Sequence, residues 1–297
     1  MKEIMVIVGY ECNNMCLFCS VGDQDRLFNR TYDDIVQNMA DDYKNGFKSI
    51  QFLGGEATIR KDIIKIVKKA KEIGYEKISF ETNGRMFCNE MFTKRIIEAG
   101  LTHVTFSIHG HTAEIHDTLT QAPGSFEQAV RGIQEVKKYE GVVVAINHVV
   151  TRVNYKNLSD FLGFIEQFGI SWILFIFINP IANARKNYRI LVPKLSETMK
   201  FMRDAIISSN GYKTRISIQN IPLCILGEYD ELSTTIDDQR DVTVNFEDEK
   251  KPQLSDKIEE LKIRPDKCYS CKKNGICEGV WKGYYELFGD DELKPVT

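Results

Sequence analysis

The sequence predicts an α/β protein in which six successive βα units build one parallel sheet, either doubly wound or an incompletely closed barrel, followed by a smaller unit. Six short β-rich runs alternate with amphipathic stretches between residues 3 and 178. Cysteine, glycine and polar motifs fall directly after those runs, where parallel sheets collect their ligands. Beyond about residue 205 the alternation stops and a second cysteine group appears. A chain of 297 residues can hold one large domain and a small one.

The predicted strands are "IMVIVG" (4–9), "SIQFLG" (49–54), "KISFET" (77–82), "HVTFSI" (103–108), "VVVAINHVV" (142–150) and "SWILFIFI" (171–178). Between them, Thr31 with Asp34 and Ser125 with Gln128 resemble capping boxes, and Gly74, Gly141 and Gly169 stand where helix C-caps belong. In "DIIKIVKKAKEIG", Ile63, Ile66, Val67, Ala70 and Ile73 share one helical face, leaving the lysines of 65–71 as its wet face. After residue 205, "YKTRISIQNIPLC" reads as a hairpin region, and "FEDEKKPQLSDKIEELK" as a charged segment. That part is thin in apolar residues, so a metal site would help to hold it together.

Apolar residues make up 43% of the chain and charged residues 27%, with a formal net charge of -3. This is a globular composition without a sustained basic stripe, so nucleic acid is not the expected partner. The apolar run near the N-terminus is too short to span a bilayer and has no cleavage pattern behind it; a cytoplasmic protein without a membrane partner is expected. Of the eight cysteines, six are bunched in two tight groups, which suits metal ligation better than a disulfide framework.

The first group, "YECNNMCLFCSVGD", supplies three thiolates, Cys12, Cys16 and Cys19, and no fourth. Soft sulfur ligands select zinc, copper or iron-sulfur clusters. A zinc ion completed by a distant ligand is one reading. The spacing CxxxCxxC, with Phe18 before the last cysteine, resembles the signature of the radical S-adenosylmethionine (SAM) superfamily, and "GGE" (Gly54, Gly55, Glu56) after the second strand resembles that family's SAM-methionine motif.

The resemblance implies a partial (β/α)6 TIM-like barrel over residues 1–205. In it, Cys12, Cys16 and Cys19 would hold three irons of a 4Fe-4S cluster, leaving the fourth iron open for SAM. Glu56 would accept from the SAM ammonium, while Asn83 would suit the ribose and Ser107 the SAM carboxylate. Strand alternation aims Glu81, Asn83, Ser107, His109, Asn147 and Thr151 into one cavity; satisfaction of backbone groups at the strand ends is the plainer reading of each. Relatives often carry an arginine shortly after the "HD" pair. Here His116 and Asp117 are followed by Thr118, Leu119, Thr120 and Gln121, so Arg152 becomes the candidate substitute. His109, His111 and His116 are expected to be solvated or to line the cavity rather than to bind zinc.

The second group, "CYSCKKNGICEGVWKGYYELFG", is C-x2-C-x5-C (Cys268, Cys271, Cys277), and a zinc knuckle is one reading of it. It resembles the SPASM or shorter twitch domains of radical SAM enzymes. That resemblance implies an auxiliary 4Fe-4S cluster domain over 206–297, with Cys224 as fourth ligand and Cys88 left free. If Cys224 were instead a free thiol near substrate, it could be a catalytic hydrogen-atom donor.

The family chemistry would be one-electron cleavage of SAM to a 5′-deoxyadenosyl radical that takes a hydrogen atom from a substrate, with an electron donor such as flavodoxin or ferredoxin. A ribosomally made peptide is the expected substrate, for oxidation, crosslinking or epimerisation. No peptide-recognition domain is expected ahead of Cys12. The alternatives are an oxidoreductase acting on a small molecule in cofactor or natural-product biosynthesis, and a non-enzymatic iron-sulfur or zinc interaction protein.

Overall fold

Alternating apolar residues make each of the expected runs a strand. The computed structural model of the chain describes residues 1–22, 26–234, 242–245 and 260–297. Its first six strands are β1 (Glu3–Ile7), β2 (Ser49–Leu53), β3 (Lys77–Thr82), β4 (His103–Ser107), β5 (Val143–Val150) and β6 (Trp172–Phe177). Two more join them, β7 (Arg215–Gln219) and β8 (Val242–Asn245). The eight form one sheet in the order β7-β6-β5-β4-β3-β2-β1-β8, with every pairing parallel. From β1 to β7 each strand is laid beside its predecessor in one direction, so the crossovers keep to one face of the sheet. That is the winding of a barrel; a doubly wound sheet reverses its order.

Residues 215–219, read from sequence as part of a hairpin, instead pair in parallel with β6, from Trp172 opposite Arg215 to Ile176 opposite Gln219. The helix before them, Leu195–Ser208, supplies the crossover that a parallel strand requires. The charged run from 246 lies outside the described residues as far as 259.

The outer face of the sheet is the core. Ile4, Val6, Ile50, Phe52, Ile78, Phe80, Val104, Phe106, Ile146, Ile173 and Phe175 are fully or almost fully buried there beneath the helices. Helix α1 (Tyr32–Lys44) starts at Thr31, whose side chain accepts from the N–H of Asp34 at 3.1 Å. Helix α2 (Ile63–Ile73) buries Ile63, Ile66, Val67 and Ala70, and stops at Gly74 in the left-handed conformation. Each such Ile or Val contributes on the order of 1.5–3 kcal/mol.

Helices α3 (Glu90–Glu98), α4 (Ala113–Thr120) and α5 (Ser125–Val136) follow. The expected Ser125–Gln128 box is not what starts α5. The Asp117 carboxylate does this, accepting from the N–H groups of Gly124 (2.7 Å) and Phe126 (2.8 Å) and from the Ser125 hydroxyl (2.8 Å). Gln128 instead accepts from the Arg85 guanidinium at 2.6 Å.

The inner face of the sheet carries the alternate residues. Ile7, Ala145, Leu174 and Val244 are buried there yet stand outside the core cluster. At the N-terminal end of the strands, Glu3 accepts from Ser49 (2.6 Å) and Lys77 (2.7 Å) and so joins three strands across the barrel floor.

The C-terminal stretch is held to the barrel rim by a helix over Lys282–Phe288. Tyr284 is fully buried, accepts the N–H of Leu195 at 2.9 Å and donates to the Glu292 carboxylate. A Cβ on Gly283 would meet the carbonyl oxygen of Pro180 at 2.8 Å, so only glycine permits this approach.

Candidate active site

The cysteine loop leaves the C-terminal end of β1 and is fastened on three sides. The N–H groups of Met15 and Leu17 donate to the carbonyls of Thr120 and Leu119, both at 3.0 Å. From the β3 side, Arg85 donates to Asn13 O and, at 2.8 Å, to Asn14 Oδ1, while Asn83 Nδ2 donates to Asn13 Oδ1 at 2.7 Å. From beyond β6, Asn183 Nδ2 and Asn187 Nδ2 donate to the carbonyls of Cys16 (3.2 Å) and Leu17 (3.1 Å). With its backbone tied down in this way, the loop presents three partly buried thiols. Burial pushes the Cys16 thiol up to about 12, with Cys19 and Cys12 adding to the shift, and burial raises Cys12 as well. Both are protonated near neutrality, so a metal binds with loss of protons.

"GGE" packs against the base of this loop. The N–H of Gly55 donates to Gly9 O at 2.8 Å and that of Glu56 to Glu11 O at 2.7 Å. A Cβ on Gly54 would meet Gly9 O at 2.1 Å, and one on Gly55 would meet Glu11 O at 2.2 Å. Both glycines therefore let the second strand end close on the chain's own approach to the cysteines.

Glu56 is 3% exposed. One carboxylate oxygen accepts from the N–H (3.1 Å) and hydroxyl (2.5 Å) of Thr58 and from the Thr82 hydroxyl (2.7 Å); the other accepts from the N–H of Asn83 (2.6 Å). Burial raises its pKa, and these hydrogen bonds oppose that. The carboxylate anticipated as a contact for the SAM ammonium already accepts from these protein donors, and through the N–H of Asn83 it positions that residue.

Glu81, Ser107 and Asn147 share the inner face near the C-terminal strand ends, as expected. Asn147 donates to Glu81 at 3.0 Å, while its own Oδ1 is buried with no partner among the described residues. Burial raises the pKa of Glu81. Asn83 stands nearby but spends its side chain on Asn13 and on the N–H of Arg85.

Thr151 does not point into the cavity: its N–H and hydroxyl both donate to Asn154 Oδ1, closing a tight turn after β5. Arg152 is exposed and donates to Val192 O at 2.9 Å. His109 packs edge-on against Phe18 at 4.7 Å and lies parallel to His116 at 5.7 Å. Both imidazoles are buried and held neutral, His116 near 4, so they fill the ground beneath the cysteine loop.

The second cysteine group assembles across the chain. Cys224, on the short helix Leu223–Leu226, lines one pocket together with Cys268, Cys271 and Cys277. Three backbone N–H groups aim at its sulfurs: Gly279 at Cys277 (3.4 Å), Val296 at Cys271 (3.3 Å) and Lys294 at Cys224. Among the described residues no three potential ligands converge closely enough to hold a single ion. Four soft sulfurs around a pocket, with N–H donors to them, are a ligand set that suits an iron-sulfur cluster or a zinc ion. Cys88 stands apart, at the end of the single turn Arg85–Cys88.

The fastening residues Arg85, Asn183 and Asn187, and the N–H donors of Lys294 and Val296, are not marked by any pattern in the sequence. Only Asn13 and Asn14 carry a hint, since they lie between two of the cysteines.

The family model described as the Radical SAM superfamily matches residues 6–165. Among curated proteins, a probable GTP 3′,8-cyclase of Sulfolobus acidocaldarius is 27% identical over 191 residues, 63% of this chain and 59% of that protein. Its namesake in Sulfurisphaera tokodaii is 24% identical, covering 77% and 73%. The chain thus spans about three fifths of the first relative's length. Among solved structures, SuiB of Streptococcus suis bound to S-adenosylmethionine superposes with a TM-score of 0.69 at 16% identity, covering 96% of this chain and 74% of that one. SuiB bound to the precursor peptide SuiA gives 0.70 at 15% identity, covering 96% and 72%. At such identities the likeness shows the fold, a partial barrel.

Proposed function

This chain belongs to the radical SAM superfamily, and from that premise we propose that it takes a hydrogen atom from a ribosomally made peptide. The observation that carries the reading is the fastened loop of Cys12, Cys16 and Cys19 against "GGE" at the C-terminal ends of β1 and β2. Three thiolates leave one position of a 4Fe-4S cluster for SAM. A 4Fe-4S cluster held there would, once reduced by a flavodoxin- or ferredoxin-like donor, supply the single electron that splits the SAM sulfonium into methionine and a 5′-deoxyadenosyl radical.

The chain's own residues bind and orient. Glu81, Ser107 and Asn147 offer oxygen acceptors and a hydroxyl at the strand ends, where the ribose and amino-acid parts of SAM would sit. Glu56 holds Asn83, and through it the cysteine loop. Cys224, Cys268, Cys271 and Cys277 hold an auxiliary 4Fe-4S cluster in a unit that begins after β7, and Cys224 acts there as ligand rather than hydrogen donor. A cytoplasmic location is part of the proposal. Among the described residues no helix is long and apolar enough to cross a membrane.

One observation supports a peptide: the likeness to SuiB, whose structure was solved with its precursor peptide SuiA, extends over 96% of the chain. The names of the curated relatives favour a second reading, cyclisation of a nucleotide such as GTP. The test is SAM cleavage by anaerobically reconstituted protein, with GTP or with peptides encoded beside the gene. Peptide-dependent consumption of SAM with a mass change in the peptide supports the first reading; a GTP-dependent product overturns it.

A further inference from the structure

Beside Cys277 lies a buried ion pair between Lys262 and Glu278. Lys262 and Ile263 pair antiparallel with Val280 and Trp281 in a two-stranded ribbon. The ribbon grips the cysteine: Arg264 donates to Cys277 O at 2.8 Å, and Gly279 donates to its sulfur at 3.4 Å. Lys262 is 7% exposed, pairs with the carboxylate of Glu278 and stands 4.6 Å over the Trp281 ring. Glu278 directly follows Cys277, and its second carboxylate oxygen is buried with no partner among the described residues. Lys262, Cys277 and Glu278 line one small pocket.

An ion pair in such a place is costly, and apolar side chains of similar volume would pack the ribbon at least as well. What apolar residues lack is a field. At low effective dielectric, fixed charges beside a thiolate act strongly on any change of charge there. Burial pulls the Lys262 ammonium below its usual range, and the neighbouring Glu278 and Cys277 oppose that.

We infer that Lys262 and Glu278 are positioning residues that set the electrostatic potential at the four-thiolate site, the ammonium stabilising negative charge at Cys277 and the carboxylate limiting that effect. The inference rests on the auxiliary-cluster reading given above.

The experiment uses the full chain with Cys12→Ala, Cys16→Ala and Cys19→Ala, so that only the second site reports, and follows its midpoint potential by dye-mediated titration. Lys262→Met is expected to shift the potential down and Glu278→Gln to shift it up. The double variant and Lys262→Arg should remain near the parent. Opposite signs are the mark of electrostatics, because a merely structural pair would weaken the site in the same direction whichever partner is lost. Potentials that do not move, or that move in the same direction, with iron retained, overturn the inference. Should Lys262→Met lose its iron, an upward shift in Glu278→Gln beside an unmoved Lys262→Arg supports it, and no shift in Glu278→Gln overturns it. A parent variant without iron overturns the auxiliary-cluster reading itself, and the inference falls with it.

Discussion

The backbone N–H of Asn83 donates to the buried carboxylate of Glu56 at 2.6 Å, and the Asn83 side chain donates onward to Asn13 at 2.7 Å. Two strand ends and the cysteine loop are thereby joined through one acid. Replacing Glu56 with alanine leaves the donors of Thr58, Thr82 and Asn83 without an acceptor, at a cost of about 1–3 kcal/mol for each group left buried. Glu56→Ala should therefore lower the thermal midpoint and reduce iron retention along with SAM affinity. Iron analysis and calorimetry check this; full iron at unchanged stability, with only SAM binding impaired, would return Glu56 to the role of a direct SAM contact.

Gly55→Ala places a methyl group 2.2 Å from Glu11 O. No rotation of a flexible side chain relieves that contact, since the obstacle is backbone. The variant should lose cluster binding at the first site while the second site stays loaded, a difference that spectra of the two clusters resolve. Retention of the first cluster would mean that the β1 and β2 ends can separate freely.

Cys224→Ala removes one of four sulfurs around the second pocket. The loss or destabilisation of one cluster is expected, because a three-thiolate site invites solvent. Full iron with unaltered spectra, together with SAM cleavage that yields no product, would assign Cys224 the hydrogen-donor role instead.

Burial pulls the pKa of His116 to about 4 and that of His148 to about 3, and lowers that of His109. As the pH falls, an unfolded chain takes up protons on these groups near 6.5, while the folded chain refuses them until its own lower values are reached. Stability should therefore be intact above pH 6.5 and lost progressively as the pH falls toward 4 to 3. In urea titrations of the native protein at pH 5, His148→Gln should lower the slope of unfolding free energy against pH by about one proton. An unchanged slope would mean that His148 is protonated in the folded state.

The strands were legible because a period of two with branched and aromatic residues is a local signal, and the cysteine groups because ligand spacing is local too. What went astray was non-local. "RISIQ" alternates like any strand, but only its pairing with β6 shows that Arg215–Gln219 extends the barrel. Thr151 follows the alternation of β5 until Asn154 bends the chain, and the side chain turns with it. Asp117 reaches the start of α5 across a loop, displacing the cap that Ser125 and Gln128 suggested. Glu56 lay where its motif required. Its employment by Thr82 and Asn83, about 26 residues on, could not be read from a three-residue motif.

The most direct measurement is 5′-deoxyadenosine formed from SAM by anaerobically reconstituted, chemically reduced protein, set beside Cys16→Ala. The native chain should form it while retaining about eight irons as two 4Fe-4S clusters, and the variant should form none while keeping its second cluster. Iron-loaded native protein that forms no 5′-deoxyadenosine, or a Cys16→Ala variant that forms as much as the native chain, would contradict the assignment of Cys12, Cys16 and Cys19 as the seat of the chemistry.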